Sequence, residues 1–144
     1  TDSLTNIYNR YGFDELAEKI ISKNPQTHFV AALLDIDDFK FINDIYGHSY
    51  GDKALKSLAD SMKAFFPSDA LLGRNGGDEF CILLPNCTFK EADKQLQQFT
   101  KLPKTFHITV KNSHFIYLSD MQNIQHLQPA LHSLCAVQMQ LFMK

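Results

Sequence analysis

Two acidic clusters concentrate the residues of this chain that could do chemistry. Asp35-Ile36-Asp37-Asp38-Phe39-Lys40 follows an unbroken apolar run from Phe29 to Leu34. Gly76-Gly77-Asp78-Glu79-Phe80 lies between two short apolar stretches. Carboxylates brought together repel one another unless a cation neutralises them. Hard oxygen ligands of this kind suit Mg²⁺, which often takes one or two carboxylates together with the phosphates of a substrate. A pair of such ions activates a hydroxyl and stabilises a leaving phosphate in phosphoryl transfer. The glycines fit the same chemistry, because a backbone without Cβ lets a phosphate come close. A structural account competes for each cluster: an Asp after a strand often caps the next helix, and Gly-Gly often only forms a turn.

The elements that must position these clusters follow from periodicity. Phe13, Leu16, Ala17, Ile20 and Ile21 fall at helical spacing, and Asn24-Pro25 closes that helix. The run Phe29 to Leu34 is short and apolar throughout, so it predicts a central strand buried on both faces. Asp37 to Ile45 predicts a short helix leading to Gly47. Leu55, Leu58, Ala59, Met62, Phe65 and Phe66 line one face of the next helix, and Pro67 follows. Ala70 to Leu72 and Phe80 to Leu84 read as strands joined through Asn75-Gly76-Gly77, a hairpin signal. Thr88 with Glu91 spells a capping box for a helix carrying Phe89, Ala92, Leu96 and Phe99. Thr105 to Val110 and His114 to Leu118 read as two strands joined at Lys111-Asn112-Ser113. Leu127, Leu131, Leu134, Cys135, Leu141 and Phe142 share a last helical face. The order α-β-α-α-β-β-α-β-β-α indicates α/β or α+β packing. If the hairpin flanks the buried strand, both acidic clusters meet at one end of the sheet.

Composition narrows the function classes. The 144 residues suit one domain, and the twelve phenylalanines supply the bulk of a core. The formal net charge of -2 gives no support to a nucleic-acid or acidic-membrane surface. Three cysteines (Cys81, Cys87 and Cys135) without CxxC spacing fit neither a disulfide framework nor a zinc site, which favours a reducing cytoplasm. No apolar run approaches the ~18 residues of a membrane span, so no direct membrane contact is expected of this domain. Neither GxGxxG nor a P-loop is present, so a nucleotide must be held in another way. The chain opens at Thr1-Asp2 without an initiator Met, which suggests a single domain, residues 1–144, cut from a longer protein that a membrane could anchor.

Four ordered blocks resemble the GGDEF family. Gly76-Gly77-Asp78-Glu79-Phe80 is the motif that names it. Asp2-Ser3-Leu4-Thr5 with Asn9-Arg10 is similar to the opening D-x-L-T-x-x-x-N-R. Asp35-Ile36-Asp37, Phe39-Lys40 and Ile42-Asn43-Asp44 are similar to D-I-D-x-F-K-x-I-N-D. Gly47-His48 with Gly51-Asp52 is similar to G-H-x-x-G-D, and Arg74 stands at its usual place before the motif. The resemblance covers roughly residues 2 to 86.

The resemblance implies an α+β sandwich, a central and mainly antiparallel sheet wrapped by helices, as in adenylyl cyclases and polymerase palms. It implies a diguanylate cyclase, in which two GTP held by facing subunits of a homodimer condense to cyclic di-GMP with loss of two pyrophosphates. Carried over by position, Asp35 and Asp78 become ligands of Mg²⁺ or Mn²⁺, assisted by the carbonyl of Ile36. Glu79 shares in metal binding or activates the 3′-hydroxyl. Asn43 and Asp52 read the guanine edge, and the backbone of Asp38, Phe39 and Lys40 cradles the terminal phosphates, as helix starts often do. Without the resemblance, Asn43 and Asp52 read more simply as helix caps and Lys40 as a surface lysine.

The late third departs from the family pattern. His114 to Ser119 lacks S-x-G, and Leu131 to Gln140 lacks the family's phosphate-binding lysine. Losing one charge-assisted contact costs roughly 1.5–3 kcal/mol. The positions of the family's R-x-x-D feedback site fall on Pro67 and Ala70, so no such site is expected. Asn6 stands where a Gly is usual, and Asp38 where an apolar residue is common. Three functions therefore stand open: an active cyclase, a degenerate module that binds GTP and regulates a neighbouring domain, and a protein-interaction module. The sensor or output domains of the parent protein are not legible here.

Overall fold

The computed structural model describes residues 1–103 and 110–118. A two-residue strand β1 (Tyr8–Asn9) leads directly into α1 (Arg10–Lys23). Then come β2 (Phe29–Ile36), α2 (Phe39–Tyr46), α3 (His48–Phe65), β3 (Leu71–Gly76), β4 (Glu79–Pro85), α4 (Phe89–Lys101) and β5 (Val110–Leu118). The sheet order is β1-β3-β4-β2-β5. The β3–β4, β4–β2 and β2–β5 pairs are antiparallel, and only the short β1 runs parallel to its neighbour β3. This is the mainly antiparallel α+β sheet expected of the sequence.

Local chemistry sets the element ends. Asn9 caps α1 by accepting from Gly12 N–H at 2.9 Å, and Asn24 Nδ2 closes it on the Ile20 carbonyl at 2.7 Å. The capping box of α4 is complete, with Glu91 N–H donating to Thr88 Oγ1 at 3.2 Å and Thr88 N–H donating to Glu91 Oε2 at 3.0 Å. All eight residues of β2 are buried, because β4 and β5 flank it and helices cover both faces. Alternation along β2 and β4 divides the core. Phe13, Ala17 and Ile21 of α1 pack on Phe29, Ala31, Leu33, Cys81 and Leu83. On the opposite face, Leu55, Leu58 and Met62 of α3 and Leu96 and Phe99 of α4 pack on Val30, Leu34, Phe80 and Ile82.

One sequence expectation changes, and one element was not expected. Lys111-Asn112-Ser113 is not a turn: β5 runs through it, and the pairs Leu33↔His114 and Leu34↔Asn112 leave Ser113 as an extra residue. The turn-like triplet is a β-bulge, which breaks the alternation without ending the strand. The short β1 carried no readable signal, because both its residues are exposed and two residues have no period. Residues 105–109 of the expected strand and the final helix of residues 127–142 lie outside the described residues, as does the departure between Leu131 and Gln140.

Candidate functional site

The site grows from the far ends of β2 and β4. Their pairing sets Asp35 directly opposite Glu79. Directly opposed residues of an antiparallel pair present their side chains on the same face, Cβ atoms roughly 5 Å apart. Asp35 is a buried carboxylate, 8 % exposed, and Asp78 and Glu79 are half-buried beside the turn. Two like charges so placed are unfavourable unless something positive lies between them.

The capping account of Asp35 does not fit the structure. Asp35 lies inside β2, and the residue at the N-cap of α2 is Asp38, whose side chain makes no capping bond. Asp38 instead takes a left-handed conformation, φ 54°, as does Asn6, φ 63°. Asp and Asn tolerate that region better than other non-glycine residues. Asn6 therefore suits a left-handed backbone where the family usually has Gly, and Asp38 likewise tolerates the conformation it adopts. Gly76 and Gly77 also have positive φ, 126° and 52°, so the turn requires them whatever ligand they meet.

The sharp reversal at Asp38 starts α2 right after the acidic strand end. Ile36 is buried in the core, which leaves its backbone carbonyl as the group it could offer. Phe39 is half-buried and packs on the core, while Asp38 and Lys40 are exposed at the helix start.

A second group forms where α2 meets α3. Asn43 lies within α2 and Asp52 within α3, so neither is a cap. Asn43 Oδ1 is buried and has no hydrogen-bond partner among the described residues. Gly51 makes room for it: a Cβ there would run into Asn43 Oδ1 and lie 3.2 Å from Phe39 Cζ. Asp52, next along α3, is exposed. Sequence-predicted residues thus fall into an acidic group at the sheet end and a polar pair on two packed helices, joined by α2.

The structure adds partners the sequence reading did not assign. Arg74 donates from Nε and Nη2 to the Gly77 carbonyl at 2.9 and 2.7 Å. Its Nη1 donates to both carboxylate oxygens of Asp2, at 3.2 and 3.1 Å. Asp2 also accepts from Thr5 N–H at 2.9 Å and Thr5 Oγ1 at 2.6 Å. Burial pushes the Asp2 carboxyl up, but the Thr5 and Arg74 contacts outweigh it and hold Asp2 below its ordinary value. The opening block therefore braces the acidic turn through one arginine. The Asp-x-x-Thr spacing was a local-turn signal, but nothing in the sequence tied it to Arg74.

A divalent metal can be weighed on this donor set. Among the described residues no group of three His, Cys, Asp or Glu side chains forms a metal cage. Mg²⁺ seldom needs one, since one or two carboxylates with substrate phosphates and water suffice. Opposed carboxylates at a strand end, next to a helix start, fit that arrangement.

The family description "Diguanylate cyclase, GGDEF domain" matches residues 1–128. The chain is 44% identical to the protein YhcK of Bacillus subtilis over 94 residues, covering 63% of this chain and 26% of YhcK. It is 38% identical to the probable diguanylate cyclase DgcF of Escherichia coli over 118 residues, covering 76% of this chain and 37% of DgcF. It therefore spans only 26 to 37% of the length of these relatives. The GGDEF domain of DgcB from Caulobacter crescentus, solved in complex with c-di-GMP, superposes with a TM-score of 0.78 at 25% identity, covering 96% of this chain and 89% of that one. Motif blocks, structural likeness and family match agree, and this chain belongs to the GGDEF family.

Proposed function

We propose that this chain is a diguanylate cyclase domain that binds GTP with Mg²⁺ and, as a homodimer, condenses two GTP into cyclic di-GMP and two pyrophosphates. The observation that carries the reading is the register Asp35↔Glu79 beside Asp78, at the start of α2. Asp35 and Asp78, with the Ile36 carbonyl and Glu79, would hold the metal. Bound there, Mg²⁺ would supply charge neutralisation for the phosphates and acidify a coordinated hydroxyl. Backbone N–H groups at Asp38, Phe39 and Lys40 would hold the terminal phosphates at the helix start. Asn43 and Asp52 would read the base, because a carboxylate accepts from the guanine N1–H and N2–H₂. In the chemical step the 3′-hydroxyl oxygen of one GTP bonds to the α-phosphorus of the other. The bond to the bridging oxygen of pyrophosphate breaks, and the hydroxyl proton passes to Glu79 or to solvent. The step repeated in the other direction closes the ring.

A second reading, GTP binding without turnover, is favoured by the missing lysine between Leu131 and Gln140. Turnover of GTP with Mg²⁺, at high protein concentration and with a coiled-coil dimeriser fused before Thr1, separates the two. Cyclic di-GMP supports the cyclase, whereas bound GTP without product supports the regulatory module. Asp78→Ala should abolish Mg²⁺-dependent GTP binding or turnover while leaving the fold intact, since Asp78 sits at the tip of the β3–β4 hairpin and outside the core. Unchanged Mg²⁺-dependent binding in that variant would sink the metal assignment.

A further inference from the structure

We infer that Asn75 is a positioning residue for Glu79, fixing its carboxylate at the acidic end of the sheet through a relay anchored on the Cys81 thiol. The role of the relay rests on the Mg²⁺–GTP reading above, but its geometry does not. Arg74 pairs with Phe80 and Gly76 with Glu79, so Asn75 is the extra residue of a β-bulge. Bulges re-aim a side chain that regular alternation would send elsewhere. Here the Asn75 amide reaches both residues it must touch: Nδ2 donates to Glu79 Oε1 at 2.8 Å, and Cys81 Sγ donates to Asn75 Oδ1 at 3.3 Å.

The chemistry of the three groups fixes the direction of the relay. A carboxylate only accepts, so the NH₂ end of Asn75 must face Glu79, and its oxygen is left for the thiol. The thiol is in turn packed in the core. Cys81 is 2 % exposed and packs against Gly73, where an added Cβ would lie 2.8 Å from the sulfur and 2.7 Å from Phe13 Cδ2. The chain of contact thus runs from the α1 core through Cys81 and Asn75 to Glu79. A free glutamate spreads over many rotamers, and one held by an amide does not. A carboxylate has about four lone-pair sites, so the amide bond takes up only part of its acceptor capacity. Leucine at 75 would remove the donor, and aspartate would set a second carboxylate against Glu79.

The test has two readouts on the whole chain. In ¹⁵N-labelled protein, Glu79→Ala should shift both Asn75 side-chain amide resonances, which Asn75→Leu identifies by their loss. Mn²⁺ affinity in the presence of GTP, followed by electron paramagnetic resonance, should fall about tenfold in Asn75→Leu, the loss of one charge-assisted hydrogen bond. In the Glu79→Ala background, Asn75→Leu should cause no further loss. GTP turnover should fall through kcat, with KM within about twofold. Amide resonances indifferent to Glu79→Ala would overturn the contact. An equal loss of Mn²⁺ affinity in both backgrounds would overturn the positioning role. If the unaltered chain binds no Mn²⁺ with GTP, the functional reading and the positioning role fall together, and the amide shift still reports separately whether the contact exists.

Discussion

Replacing Arg74 with Ala should weaken the fold and the acidic turn together, in a pH-dependent way. The Arg74 and Asp2 side chains are 13 and 19 % exposed, so the pair is mostly desolvated. The variant loses two contacts to Asp2 and two to the Gly77 carbonyl. Gly77 is exposed, so water replaces the second set at little cost. Asp2 keeps its Thr5 partners but loses its counter-charge. Hydrogen bonds to charged groups contribute ~1.5–3 kcal/mol, and breaking a fully buried pair costs ~3–5 kcal/mol. A partly wet pair places Arg74→Ala at about 2–3 kcal/mol, or a fall in Tm of about 10 °C for a domain of this size. Asp2 has a lowered pKa in the fold, so its contribution is present above the unfolded value near 3.8 and is lost as pH falls through the folded value. The gap between wild type and variant should therefore be full between about pH 5 and 8 and shrink below about pH 4. Urea unfolding followed by circular dichroism from pH 3 to 8 measures it, with an unchanged m-value as the check on two-state behaviour. A gap that persists undiminished to pH 3 would refute the assignment to the Asp2 carboxylate. A gap below about 0.5 kcal/mol at neutral pH would refute the brace itself.

Gly51→Ala tests the second polar group: the added methyl would run into Asn43 Oδ1 and crowd Phe39 Cζ at 3.2 Å, so the Asn43 amide must turn away, while helix propensity offsets that cost by about 1 kcal/mol. GTP affinity should nonetheless fall about tenfold, and unchanged affinity by calorimetry would remove Asn43 from the base site. Cyclic di-GMP should show no saturable binding outside the GTP pocket, because the turn in which Ala70 N–H donates to the Pro67 carbonyl offers neither Arg nor Asp at the two feedback positions. Calorimetry with cyclic di-GMP in the presence of excess GTP reports any second site directly.

Much of the architecture was legible because each element repeats a local pattern. The apolar run Phe29 to Leu34 showed a strand buried on both faces, and Thr88 with Glu91 marked the start of α4. The acidic clusters were legible by residue type, and their meeting followed once the hairpin was assumed to flank β2. What periodicity missed has a common cause. Tyr8–Asn9 is too short to show a period, and Lys111 to Ser113 carries turn-forming residues inside a strand whose pairing with β2 overrides them.

The sequence by itself determined the element order, the two acidic clusters and the family blocks, because these are written in residue type and spacing along one chain. Only the tertiary structure decided that Asp35 faces Glu79, that Asn43 Oδ1 is buried beside Gly51, and that Asp2 reaches Arg74. It alone placed Asn75 at a bulge between Glu79 and Cys81. Register, bulges and contacts between residues as distant as Asp2 and Arg74 arise from strand pairing and helix packing. Those follow from burying the whole apolar surface at once, which no local pattern encodes.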